Sequence, residues 1–397
     1  MKQHATPLKE SDRLNWIDAA RGLAILGIFM VNVPAFNAPF FLYGGEEHFW
    51  PSLTSDAVQT MIDIFFQASF YTLFSLMFGF GLQMMKDRLD QKGMNYRPVL
   101  LRRLAILIGF GLIHSFLIWH GDILLSYGVF GLVLFAFFNR SKRTLLLWAY
   151  SLLAILVIPL TLSLYAIRDR LGGFYNLEAI NAAKRNYGEG SLLDIWQQNA
   201  ADWTYANNMG SIPFLAFSLI PMFLFGMYVA RERWLYEPDQ HLASIKKWWG
   251  ITGIVFLLFK AGPYFYGNPE WFQLMQDNVG GTASAIFYVL SLTLMSRTSV
   301  GRRIINPLRW VGRMSLTNYI FQSLVCFLLF YSVGFGLYGQ ISPFLSVVIV
   351  LVVFTSQVFL SKAWLKKFRF GPLEWLWRTL TYRQKQPLQR SMKGRLK

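Results

Sequence analysis

Charge and cysteine are both scarce in this chain. Only 15% of its 397 residues are charged and 54% are hydrophobic, whereas a soluble globular domain carries roughly a quarter charged residues. The one cysteine, Cys326, excludes an internal disulfide and any metal centre built on cysteine pairs. The five histidines lack the short His-x3-His spacing of a helical zinc site, so no metal is expected. No Gly-x4-Gly-Lys-Ser/Thr loop and no Gly-x-Ser-x-Gly elbow occurs. The P-loop and the hydrolase nucleophile elbow are therefore missing as sequence motifs. Low-complexity linkers and internal repeats are missing as well.

What the chain has is apolar length, with a mean hydropathy of +0.36. Crossing about 30 Å of hydrocarbon takes about 20 helical residues. Ten stretches come near that length: 17–36, 57–84, 104–120, 122–138, 144–167, 209–230, 248–266, 281–296, 314–333 and 343–361. They lack the period-two alternation of barrel strands, and lipid admits only helices or closed barrels. The expected fold is an all-α polytopic bundle of about ten spans. It comprises an N-terminal segment 1–16, a single bundle 17–361 and a basic tail 362–397.

The net charge of +17 is a topology signal. With both termini cytoplasmic, 32 of the 38 Lys and Arg fall on the inner side. Four (Arg168, Arg170, Lys184, Arg185) fall on the outer side, and Arg21 and Lys260 lie within spans. That is the positive-inside pattern. The tail 362–397 then reads as a solvated face against anionic lipid rather than a nucleic-acid arm. Span 1 is too long and too polar for a cleaved signal peptide, so it is expected to stay. The outer loop 168–208 is the one large excursion, with helical-looking sequence around Asn176–Arg185 and Leu192–Trp203. Its length suggests a cap over the outer end.

A charge near a span centre costs roughly 3 kcal/mol, so each one asks for a reason. At about 100° per residue, Asp18, Arg21 and Asn32 share an arc of about 60° on span 1. Asn32 then lies about 22 Å deep. Asp18 can equally be a first-turn acid or a simple partner of Arg21, and Asn32 can be interhelical glue. His48 follows Glu46 and Glu47 in the outer loop 37–56; Asp63 and Gln67 form an i, i+4 pair in span 2. His114 sits near the middle of span 3, and His120-Gly121-Asp122 makes a tight turn into span 4. A lone helical histidine is usually a hydrogen-bonded core residue. Here Asn32, His48, Asp63, His114 and Asp122 converge on the outer half of the bundle. Gly79-Phe80-Gly81 and Gly109-Phe110-Gly111 read as small-residue helix contacts.

Several separated motifs resemble the YeiB family of bacterial membrane proteins. They are Arg13-x3-Ile17-Asp18-x2-Arg21-Gly22-x-Ala24, Leu73-Phe74-Ser75-x2-Phe78-Gly79-Phe80-Gly81, Gly111-x2-His114-x6-Gly121-Asp122-Ile123-Leu124 and Gly312-Arg313-Met314-Ser315-Leu316-Thr317-Asn318-Tyr319. More distantly, Asp18-x2-Arg21-Gly22 is similar to the opening of transmembrane acyltransferases. In the heparan-glucosaminide N-acetyltransferase type, an Asn stands eleven residues after the Arg, as Asn32 does here. That resemblance implies a catalytic histidine in the following outer loop, a role that falls to His48. It also implies that Asp63 begins the second span.

The chemistry fits those residue types. An imidazole takes the proton of an acceptor hydroxyl or amine near neutral pH, and a carboxylate such as Asp122 or Asp63 orients it. The Asn32 amide can donate to a developing oxyanion. Cytoplasmic arginines (Arg21 foremost, with Arg102, Arg103, Arg309 and Arg313) can hold the phosphates of acyl-CoA, acetyl-CoA being the expected donor, with Asp18 beside them. The reading is a bacterial inner-membrane acyltransferase with no metal. Its partners are the bilayer, a small-molecule, glycan or lipid acceptor, and optionally a second copy of the chain. Two other classes stay open: a small-molecule transporter relaying protons through the same His and Asp residues, and a non-catalytic scaffold.

Overall fold

A computed structural model describes residues 14–45, 49–173 and 175–390. Among them the regular structure is helical, with one isolated antiparallel bridge between Phe368 and Gln389. Each of the ten apolar stretches falls on a helix. Eight helical segments are long and apolar enough to cross a membrane, a ninth is a bent pair, and the tenth, Leu124–Ala136, is short. The chain is thus an all-α, multi-pass membrane protein.

The helices are α1 Asn15–Asn37, α2 Leu53–Phe65, α3 Ser69–Gln91, α4 Tyr96–Leu117, α5 Leu124–Gly131 and α6 Lys142–Ala166. Then follow α7 Leu177–Gly188, α8 Leu192–Ala206, α9 Ser211–Glu232, α10 Leu242–Phe256, α11 Gly281–Met295 and α12 Ser299–Gly312. The last three are α13 Ser315–Phe330, α14 Pro343–Lys367 and α15 Pro372–Tyr382.

Glycines set the closest helix approaches. A Cβ on Gly79 would stand 2.0 Å from the Phe223 carbonyl oxygen, and one on Gly226 would stand 2.0 Å from that of Leu76. This reciprocal pair lets α3 and α9 meet backbone to backbone. Gly22 and Gly312 do the same for α1 and α12, where added Cβ atoms would lie 1.9 Å from the Leu308 oxygen and 1.8 Å from the Asp18 oxygen. The small-residue reading therefore holds for Gly79 and Gly111. Gly81 instead faces the Arg21 guanidinium and Gly109 faces open space.

Span 2 is not one helix. It breaks between Phe65 and Ser69, where Ala68 takes a left-handed conformation (φ 58°). Ala68 lies against Gly281, and the Ser284 hydroxyl donates to that of Ser69 at 2.7 Å. With the helix ending at Phe65, Asp63 and Gln67 are no longer an i, i+4 pair. α12 and α13 meet at 75°, so Arg313 and Met314 form a corner on the basic face.

The loop 168–208 folds into α7 and α8 at the end opposite the basic face. Beneath them an aromatic layer closes the bundle: Phe36 stacks on Trp119 at 4.1 Å and Tyr187 on Tyr331 at 4.4 Å. All four rings are buried. The basic tail is not one solvated segment. α14 continues to Lys367, and α15 turns back onto the bundle because its Leu373, Trp377 and Tyr382 pack against the core.

Candidate functional site

A cavity of about 940 Å³ opens among α1, α3, α4, α9, α12, α13 and α15. From α1 and the Leu14 that precedes it the cavity takes Leu14, Ile17, Asp18, Arg21, Ile25 and Ile28, spaced three and four apart along one face. These residues span about 21 Å at 1.5 Å per residue. Asn32 continues the same face one turn past Ile28; it is half-buried and does not line the cavity.

The mouth is cationic. Arg21, Arg88, Arg103, Lys142, Arg231, Arg233, Arg313 and Arg378 line it against three acids, Asp18, Asp87 and Glu374. A net excess of five positive charges in a partly buried space attracts a polyanion. The Asp-x2-Arg-Gly opening now has a physical account. Asp18 accepts from Arg21 at 3.3 Å, while Gly22 admits α12, whose end delivers Gly312 and then Arg313. Arg103 stacks its guanidinium 3.7 Å over the Trp377 ring, and Trp377 Nε1 donates to the Arg103 carbonyl at 2.9 Å. Arg102 and Arg309 differ from the expectation that they join this mouth. Arg102 Nε donates to the Thr381 carbonyl at 2.9 Å, fastening α15, and Arg309 lines a separate groove with Arg302 and Arg303.

Glu374 ties the doorway together. It accepts from the Thr317 amide at 3.0 Å and from the Thr317 hydroxyl at 2.6 Å, a carboxylate at the exposed donors of α13's first turn. Burial pushes its carboxyl above the ordinary glutamate range, and the Thr317 donors offset only part of that. The folded chain therefore keeps this proton to higher pH than the unfolded chain does. The resulting stability is complete below the usual glutamate value and is lost as pH rises through the folded value. Glu374→Gln should remove this slope, raising the melting temperature by a few degrees at pH 8 relative to pH 5. Parallel melting curves for the two proteins across that range would refute the assignment.

Inward of the arginines the walls turn apolar, through Ile25, Ile28, Phe74, Met77, Phe78 and Leu107, and end at Ile123, Leu124, Tyr127 and Tyr319. Behind Tyr319, ring to ring at 5.1 Å, lies His114. Its Nδ1 is 2.9 Å from Asp122 Oδ1, and its Nε2 is 2.8 Å from Ser323 Oγ. All three side chains are buried. The local sequence dictates the pairing. Gly111 clears the way for Leu125, whose amide would sit 2.3 Å from any Cβ there, and that amide donates to Asp122 Oδ2 at 2.6 Å. Asp122 thus caps α5 with one oxygen and meets His114, one turn along from Gly111, with the other.

Asp63, the other expected orienting carboxylate, stands elsewhere. Lys260 Nζ lies 3.3 Å from Asp63 and 3.1 Å from Asp277, each at Oδ1. Tyr264 and Gln276 donate to Asp63 Oδ2 at 2.6 and 2.8 Å. Lys260 and Asp277 sit on facing π-helical turns, Leu257–Ala261 and Gln276–Gly280. His48 lies outside the described residues.

A third cluster, which patterns along the chain did not suggest, forms under α8. Asp202 accepts from Tyr43 at 2.7 Å, Tyr187 at 2.8 Å and Gln198 at 2.6 Å, and lies 3.5 Å from His120 Nδ1. Burial pushes the His120 imidazole down, with the Asp202 carboxylate opposing, and pushes the Tyr187 phenol up. His120 sits 82 positions from Asp202 in the chain, so no spacing rule links them.

Comparison with known proteins agrees with the resemblance to the YeiB family. A family described as "Protein of unknown function (DUF418)" matches residues 229–384. The uncharacterized protein YxaH of Bacillus subtilis (strain 168) is 36% identical, covering 98% of each chain. An uncharacterized 39.9 kDa protein in the amylase 3' region of Bacillus acidopullulyticus is 29% identical over 96% of this chain and 97% of its own. The uncharacterized protein YeiB of Escherichia coli (strain K12) is 30% identical over 94% of this chain and 97% of its own. No solved structure matches. The chain is a member of the YeiB family of multi-pass membrane proteins, matched along nearly its whole length.

Proposed function

We propose that the chain is an acyl-CoA-dependent acyltransferase of the bacterial inner membrane, passing an acetyl or other acyl group from a cytoplasmic donor to a hydroxyl or amine at the outer face. The observation that carries this reading is the cavity that starts among arginines and ends at the ring covering the His114–Asp122 pair. Arg21, Arg103 and Arg313 would hold the donor's phosphates, and the apolar throat would take its uncharged arm. His114 would accept the proton released by the attacking group, with Asp122 fixing the imidazole's tautomer. The acceptor is a sugar, glycan or lipid headgroup on this reading.

Calorimetry on purified protein in nanodiscs tests it. Acetyl-CoA should bind saturably, more weakly as salt rises, and about tenfold more weakly after Arg21→Ala or Arg313→Ala. Failure to bind at any acyl chain length would remove the reading. The Lys260–Asp63–Asp277 cluster favours a second reading, a small-molecule transporter, since intramembrane charge on π-turns often marks a working site. Proton-coupled uptake by liposomes lacking acyl-CoA would support it.

A further inference from the structure

Resting on the acyltransferase reading, we infer that the acyl group is carried covalently on Ser323, whose hydroxyl completes a Ser–His–Asp arrangement with His114 and Asp122. Ser323 Oγ lies 2.8 Å from Nε2 of an imidazole whose other nitrogen is 2.9 Å from a carboxylate. The serine–imidazole contact is a hydrogen bond and the imidazole–carboxylate contact is a close approach out of hydrogen-bond line; together they follow the order that activates a serine for acyl transfer. Ser323 lies one helical turn from Tyr319 on the same face of α13, and Tyr319 is cavity wall. A turn of that ring would bring a thioester in the cavity to the serine.

The architecture gives a reason for a carrier. The cavity ends at Ile123, Leu124, Tyr127 and Tyr319, and the buried layer of Phe36, Trp119, Tyr187 and Tyr331 is separate from its lining. A donor in the throat and an acceptor beyond that layer cannot occupy one space. A residue between them can serve each in turn. In the first half, Ser323 Oγ attacks the thioester carbonyl and gives its proton to His114 Nε2. The carbon–sulfur bond breaks, and the sulfur leaves with that electron pair and takes the proton from His114 as CoA thiol. In the second half, the acceptor's hydroxyl or amine gives a proton to His114 and attacks the acyl ester. The bond to Ser323 Oγ breaks, and the oxygen recovers the proton.

This predicts a partial reaction that needs no acceptor. Purified protein in nanodiscs, mixed with acetyl-CoA and radiolabelled CoA, should move label into acetyl-CoA. Ser323→Ala should cut this exchange at least about 100-fold with acetyl-CoA affinity unchanged. Ser323→Cys should keep measurable exchange and hold acetyl on position 323 after an acid quench. Exchange unaffected by Ser323→Ala, acetyl recovered on another residue, or normal acetyl-CoA binding with no exchange would each overturn the covalent step and leave the acyltransferase reading standing. Absence of acetyl-CoA binding by the unsubstituted protein would remove both.

Discussion

Replacing His114 with asparagine should lower acetyl-CoA turnover by about 100- to 10,000-fold while leaving acetyl-CoA binding within about twofold. The side chain is fully buried, with Nδ1 beside Asp122 and Nε2 beside Ser323; an asparagine amide stands where Nδ1 stood, so it keeps the approach to Asp122 and leaves Ser323 without its base. The arginines proposed to hold the donor line the other end of the cavity, which separates binding from chemistry on that reading. What is lost is a base that changes charge near neutral pH. The measurement is release of CoA thiol by membranes containing the overproduced protein, beside calorimetry on the purified protein. Full turnover in the asparagine variant would remove His114 from the reaction, whatever the arginine substitutions do.

The second large effect is on stability. Lys260→Met should destabilise the protein by about 3–5 kcal/mol, the cost of stripping the cation from a buried ion pair and leaving the carboxylates facing each other. Methionine keeps most of the side chain's volume, so the loss reports charge rather than packing. Adding Asp63→Asn and Asp277→Asn should restore most of it, because two neutral amides no longer need the ammonium. Thermal unfolding in detergent reads all three proteins. If the single variant melts with the native protein, the cluster is not holding α2 to the π-helical turns.

The legible features were those set by local pattern. Apolar length located the eight spanning segments and the bent pair among the described residues, while the expected span 122–138 holds only a short helix. The three- and four-residue spacing on α1 put Asp18 and Arg21 on one wall. The His114–Asp122 pairing was within reach because only a tight turn separates the two. Other features depend on distant chain. Ser323 meets His114 across 209 positions, and Lys260 meets Asp63 across 197. The break at Ala68 has no proline or glycine to announce it; it answers to Gly281 on another helix. The tail's charge hid the apolar face of α15, since composition averages over what a helix separates.

The Thr317–Glu374 contact has a mechanical consequence. α13 is pinned near its start by a carboxylate from the C-terminal segment and two turns later by the imidazole at Ser323. The first half of the helix is a rod held at two points, and tension on the terminal segment is delivered along it to the serine beside His114. A bulky tag fused to that terminus would pull on the same lever.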